Sequence, residues 1–489
     1  MNRRAPILLA LAATMLAASP TGPVQVVERQ VLLAIEPGEK VVDLVVSPDL
    51  DHWLAVTTFD DRGVGTGGGA DDKLGPRRVH VSGATLGAFG HIPSRSVTFH
   101  PVDGRTAFVT VTWGKKGFGK YQIVVDGQAL GDPGHYSEQV EVNGGPGPWF
   151  SPDGGRLVWL GNWKSGQYVV TDGKIKKGSG HDALLMESPW TAGGALVVIA
   201  RDDGVESLLV DGQAVATADG IRLVTPRPPG RGDVEALAWV ERGPDGERFV
   251  LEGVAGPGFD RVGEVACSRG GLEWAYAARD QQGAWYVVRG AERQGPWKAV
   301  ASPAFSPDGG LLAYEAMTAE GWRLVVDGTA GAAWKAIEEF VFLGEGRMAM
   351  VARDGARRVL LRATAGSGEW TEAGRFQRVF KLVPGPHGAL AASVLEAGRS
   401  RLFARDRLLG PAGDELRACT IAFSASGAHV AAALREHGKD VMTLDGAPVG
   451  SWDAIACPVI FEGEVLTFIA WNGPQLESVS VEPDGAGPG

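Results

Sequence analysis

The side chains best suited to chemistry in this 489-residue chain are scattered along it rather than grouped. A zinc peptidase needs two His one helical turn apart with a Glu beside the first, and Glu436-His437 has no second His. A nucleophilic Ser on a strand-to-helix elbow needs the flanking glycines of Gly-x-Ser-x-Gly, a pattern this sequence does not contain. Gly65-Thr66-Gly67-Gly68-Gly69 would let backbone N–H groups approach a phosphate, but it lacks the Lys-Ser/Thr pair and a following helix, and reads as a flexible insertion. Asp60, Asp61, Asp71 and Asp72 flank that insertion. Their oxygens suit Ca²⁺, yet the spacing fits no Ca²⁺-binding loop, and an acidic surface loop is the expectation. Arg231-Gly232-Asp233, in a Pro- and Gly-rich stretch, reads as a chance tripeptide. These residues lead to an expectation of no catalytic constellation, no resident metal and no cofactor.

Composition narrows the partners. With 47 Lys and Arg against 58 Asp and Glu the net charge is −11, so no basic field exists to hold a nucleic-acid backbone. Arg3 and Arg4 precede an apolar run over 6–18 that is too short to span a bilayer, and the small residues Ala17, Ala18 and Ser19 close it. The expectation is a secretory signal over 1–20, cleaved between Ala18 and Gly22, a secreted or periplasmic location, and no membrane span after cleavage. A short membrane anchor is the alternative. Of three Cys, Cys419 and Cys457 lie 38 residues apart, each four residues before a Phe, at Phe423 and Phe461. They read as matching positions in neighbouring repeats. A bridge between them is one reading; small buried residues in two equivalent strands is the expectation.

The elements that must position these residues come from internal repetition. Phe305-Ser306-Pro307-Asp308-Gly309 precedes an apolar run over 311–316, then Trp322-Arg323-Leu324-Val325-Val326-Asp327-Gly328. The same order appears in Phe150-Ser151-Pro152-Asp153-Gly154, 157–160 and Tyr168-Val169-Val170-Thr171-Asp172-Gly173. Eroded copies start at Ser47, His100, Ser268 and Ser424. A second landmark, the turn after each third strand, falls at Gly83, Gly127, Gly173, Gly212, Gly253, Gly290, Gly328, near Gly366, near Arg407, at Gly446 and at Gly485. The period is about 38 residues and the copies number about eleven. Seventy-one Gly and 29 Pro without a collagen period fit this density of turns. Pro presets φ in Ser-Pro-Asp-Gly, Asp and Gly suit the positions that follow, and Asp-Gly after Leu-Val-Val is a tight hairpin signal. The runs between turns have the length and composition of strands, and those apolar on both faces call for sheets covered on both sides.

Phe305 to Tyr314, Phe-Ser-Pro-Asp-Gly-Gly-Leu-Leu-Ala-Tyr, resembles the TolB-like and WD-type β-propeller repeats of bacterial exported proteins. The resemblance covers most of 41–485, most strongly 148–185 and 266–340. It implies an all-β fold, a propeller of about eleven tandem four-stranded blades. Because eleven exceeds the four to eight blades of ordinary rings, two rings are expected. Pro226-Arg227-Pro228-Pro229-Gly230 offers the boundary, giving N-terminal repeats over 24–225 and C-terminal repeats over 233–485. The last repeat lacks an outer strand, and Val24 to Ile35 is a strand without a repeat, so the N-terminal segment is expected to complete the final blade.

Such a fold says little about activity. The α/β domain that accompanies propellers in prolyl-oligopeptidase-like peptidases has no room here. Ser151-Pro152-Asp153-Gly154-Gly155 resembles the Asp box of sialidase propellers, with Trp159 one residue late and no Arg triad. The candidate binding face is the set of loops after second strands: Trp113, Lys115, Lys116, Phe118, Trp163, Lys164 and Trp471. Aromatic and basic side chains concentrate binding energy, while Trp at blade ends also simply packs. The function expected is a non-catalytic scaffold binding a protein partner of the cell envelope or exterior, with a glycan-binding or glycan-active propeller as the alternative.

Overall fold

A computed structural model describes residues 24–59, 77–82, 84–92, 96–113, 119–130, 147–163, 166–175, 180–186, 189–191, 193–223, 236–364 and 369–483. Among these, strands dominate and no α-helix occurs. They form eleven separate antiparallel sheets, ten of them four consecutive strands long in chain order. We number them blades 1 to 11: 40–89, 98–130, 149–175, 183–218, 220–255, 261–297, 299–330, 337–376, 378–413, 415–452, and last 454–483 with Val24–Ala34. The Gly- and Asp-rich insertion from Asp60 to Leu74 and the expected signal over 1–20 lie outside the described residues. No described helix is long and apolar enough to cross a membrane.

The turns between first and second strands follow from their sequence. Ser151 is buried, donates its hydroxyl to Asp153 (2.6 Å) and accepts the N–H of Arg156 (2.9 Å), while Gly154 closes the turn onto the Ser151 carbonyl (2.8 Å). Gly154 has φ +73°, a left-handed conformation that glycine adopts without strain. The same Ser accepts the N–H five residues on in blades 1, 6, 7 and 10, at His52, Glu273, Leu311 and His429. Turns between third and fourth strands carry a second device, in which the acidic residue caps the start of the second strand. Asp126, Asp172, Asp211, Asp327 and Asp445 accept the N–H groups of Thr106, Leu157, Leu196, Leu312 and Val430, and Glu252 does so for Leu237.

Each second strand buries both faces. Ala431 and Ala433 pack toward blade 11, whereas Ala432 and Leu434 pack toward blade 9, the two-residue alternation of a strand between two neighbours. Leu324 and Val325 divide likewise between blades 8 and 6, which explains a run with no polar face. Every blade packs on the next through a buried apolar cluster. The series closes, because Trp53 and Ala55 of blade 1 pack on Ile469, Trp471 and Leu476 of blade 11. Val24–Ala34 pairs antiparallel with Gln475–Pro483 from Val24 opposite Pro483 to Ala34 opposite Gln475, so the N-terminal strand supplies the missing outer strand. The eleven blades thus form one propeller ring. The expected division into two rings is not seen: the Pro-rich stretch lies between Gly220–Leu223 and Ala238–Gly243, two paired strands of blade 5, and blades 4 and 5 share a core.

Side chains also tie neighbouring blades together. Gln167, Glu206, Glu247 and Asp440 on third strands accept the first-strand N–H groups of Leu184, Ile221, Val262 and Ile455 in the following blades, at 2.6–2.8 Å. First strands are linked directly as well. Glu264 accepts the Ser302 N–H (2.6 Å), and Glu339 accepts the Leu382 N–H (2.8 Å) and Lys381 Nζ (2.5 Å). Cys419 and Cys457 form a disulfide with Cα atoms 5.8 Å apart, joining the first-strand side of blade 10 to that of blade 11. The pairing corrects the expectation of two unlinked cysteines; the equivalence of their positions brought them into bridging range.

Candidate functional site

The loops expected to form a binding rim are only partly described. Lys115, Lys116, Phe118 and Lys164 lie outside the described residues. Trp113 pairs with Gly119 and Trp163 with Gly166, which places both at the ends of second strands as read from the sequence, but their side chains are outside the description. Trp471 is 4 % exposed and belongs to the core between blades 11 and 1. It is therefore a packing residue and leaves the aromatic rim: the second strand of blade 11 runs on to Asn472, which keeps Trp471 between the sheets.

The other end of the ring, formed by first-to-second and third-to-fourth strand turns, carries a larger feature. A cleft of about 1020 Å³ opens between blades 5 and 6. Its floor is aromatic. Phe249 lies 5.6 Å from Trp274 and 5.0 Å from Tyr276 between ring centroids, and all three are buried. The Trp274 indole N–H is satisfied by the Gly271 carbonyl at 3.0 Å. Burial raises the Tyr276 hydroxyl pKa, with Arg293 opposing the shift, so the phenol stays neutral and acts as a polar tip on an apolar surface. Gly256 brings the backbone close to it, since a Cβ there would sit 3.3 Å from the Tyr276 hydroxyl.

Two side chains at the mouth break the repeat pattern. The fifth residue of the Ser turn is Asp51, Gly155, Gly310 and Ala428 in blades 1, 3, 7 and 10, but Leu272 in blade 6, where it is 87 % exposed. The residue after the turn glycine is Gln128, Lys174, Gln213, Ala291, Thr329 and Ala447 in blades 2, 3, 4, 6, 7 and 10, but Val254 in blade 5, 73 % exposed. Both line the same cleft. Polar groups surround them: Glu273 pairs with Arg289, Arg289 reaches Asp327 at 3.5 Å, and Glu252 and Glu292 complete the lining. An apolar centre inside a charged border is the anatomy of a protein interface.

This site escaped sequence reading, which searched the opposite loops. The available signal was Leu272 itself, informative only once the Ser turns are aligned. No group of three or more His, Cys, Asp or Glu able to hold a metal ion is present among the described residues. One titratable cluster lies elsewhere, around the bulged first strand of blade 7. Glu315 is buried and its pKa is pushed up to about 7, mainly by burial, with a Ser302 hydrogen bond opposing and the Glu264 charge adding to the rise.

Sheets, cleft and ring closure define a β-propeller protein. Comparison with solved structures returns matches of low identity, β-propeller domains among them. TolB from Acinetobacter baumannii matches at 15 % identity over 52 % of this chain and 66 % of its own, with a TM-score of 0.26. The β-propeller domain of the Trilobed protease from Pyrococcus furiosus matches at 13 % over 58 % and 95 %, with a TM-score of 0.27. The tricorn protease matches at 11 % over 88 % and 46 %, with a TM-score of 0.26. The chain thus spans less than two thirds of the length of TolB and of the tricorn protease. The propeller assignment rests on the eleven sheets themselves. No protein-family model and no curated protein matches the chain.

Proposed function

We propose that this chain is an exported, non-catalytic β-propeller scaffold that binds a protein partner of the cell envelope or exterior through the cleft between blades 5 and 6. The observation that carries the reading is the paired departure of Leu272 and Val254 from otherwise small or polar repeat positions on the two sides of one aromatic-floored cleft. Exposing large aliphatic side chains contributes nothing to the fold and favours association, so their coincidence at one cleft supports a binding role. The N-terminal basic-apolar stretch supports export.

The test is affinity capture of envelope proteins on the immobilised mature protein, followed by identification of the retained partner. Leu272→Asp and Val254→Asp are expected to abolish retention of that partner, and Ala428→Asp, the equivalent turn position in blade 10, to preserve it. Retention unaffected by both cleft substitutions overturns the reading.

A further inference from the structure

The charges bordering the cleft do not balance. The lining holds Glu252, Glu273 and Glu292 against Arg289 alone, three carboxylates to one guanidinium. Arg289 is already engaged, paired with Glu273 and within 3.5 Å of Asp327. Arg293, beside Glu292 on the fourth strand of blade 6, is stacked 4.8 Å from the centroid of Phe259 and is not part of the lining, although its charge acts on the Tyr276 hydroxyl. Glu252 is held in place because it accepts the Leu237 N–H, which fixes its carboxylate at the mouth without neutralising it. Glu292 opens the fourth strand of blade 6 directly opposite Arg289.

Resting on the binding reading above, we propose that the occupant is an extended peptide segment in which a large aromatic or aliphatic side chain is accompanied by Lys or Arg. The apolar side chain enters between Leu272 and Val254 and rests on Phe249, Trp274 and Tyr276. The neighbouring cation meets Glu252 and Glu292 on the border. Apolar contact supplies the affinity and the border charge the selection: an acidic neighbour would be repelled, and a cation meets Glu252 and Glu292, whereas Arg289's own ion pairs are with Glu273 and Asp327. A cleft of about 1020 Å³ accommodates several residues of peptide. The border charges are solvated, so their contribution depends on salt.

The experiment uses three synthetic peptides with a central Trp flanked by Lys, by Gly or by Glu, titrated against the purified full-length mature protein by fluorescence anisotropy at low and at high salt. The Lys peptide is expected to bind roughly five- to tenfold more tightly than the Gly peptide at low salt, with the Glu peptide weaker than both, and the preference to shrink at high salt. Leu272→Asp removes binding of all three, and a Glu252→Gln/Glu292→Gln double variant keeps the Gly peptide while losing the Lys preference. Equal affinity for the Lys and Glu peptides, with Leu272 still required, overturns the charge selection and leaves the cleft reading standing. Absence of peptide binding combined with capture of an envelope protein that depends on Leu272 overturns the peptide class alone. Peptide binding indifferent to Leu272 overturns both.

Discussion

Glu315 gives the sharpest physical prediction. It lies on the second strand of blade 7, is buried, and pairs with Ala301 beside the bulge that carries Ser302. Burial holds its pKa at about 7 against an ordinary 4.5, so between these values the folded protein keeps a proton that the unfolded chain has released. Stability therefore falls as pH rises through that window and levels off above about 7. At ~1.4 kcal/mol for each tenfold, the interval corresponds to a loss of ~3 kcal/mol. Glu315→Gln keeps the shape and a neutral hydrogen-bonding group but cannot ionise. Its urea unfolding free energy should match the parent protein near pH 4, where Glu315 is largely protonated in both states, and exceed it by ~3 kcal/mol at pH 8, at constant ionic strength. A difference between the two proteins that stays constant from pH 5 to 8, or a variant less stable at pH 8, would refute the assignment of a buried, proton-holding carboxyl.

The cysteines provide two further tests. The Cys419–Cys457 bridge closes a loop of 38 residues, so Cys419→Ser/Cys457→Ser should lower stability by about 4 kcal/mol from loop entropy, read as a reduced urea midpoint; an unchanged midpoint would contradict it. Cys267 is buried with its thiol pKa raised to about 11, so a thiol reagent at pH 8 should find no reactive group in the native protein and one after denaturation without reductant. Rapid native labelling would disprove the burial, and three thiols on denaturation would disprove the bridge.

The parts of the fold legible in the sequence are those with local causes. Ser-Pro-Asp-Gly and Asp-Gly turns are built by the residues themselves, and the Ser151, Ser306 and Asp327 hydrogen bonds close as their types require. The closing strand was legible because the last repeat ends one strand short. Ring number was not, since a Pro-rich insertion inside a hairpin and a linker between domains have the same composition; the shared core of blades 4 and 5 distinguishes them. Trp471 was misread for a related reason: whether a Trp at a strand end projects or packs depends on how far its strand continues, and here it continues by one residue. The cysteine pairing needed a distance between blades, which spacing along the chain does not supply.

Eleven blades in one ring ask for a small angle between neighbours, roughly 33° for each step around the circle. Radial sheets diverge outward, so inner strands need small side chains and outer strands larger ones to keep interior packing density. Blades 9 and 10 meet this demand with small second strands, Ala391 and Ala392 and Ala431 to Ala433, beside third strands that carry Leu402, Phe403, Met442 and Leu444, whereas blade 6 places the bulky Trp274 and Tyr276 on its second strand. Toward the rim the gap must be filled by the fourth strands and the turns beside them. Blade 5 has only Val254–Ala255 there, where blade 6 has Glu292–Trp297, and between the two the floor of Phe249, Trp274 and Tyr276 is reached from the cleft. The cleft thus lies beside a blade whose outer strand is only two residues long. Blade 7 supplies the comparison: its fourth strand, Thr329–Ala330, is equally short, but the residue at its Ser turn is Gly310 and the one after its turn glycine is Thr329. A short outer strand is therefore tolerated without exposed aliphatic side chains, and the need to explain Leu272 and Val254 falls on binding rather than on packing.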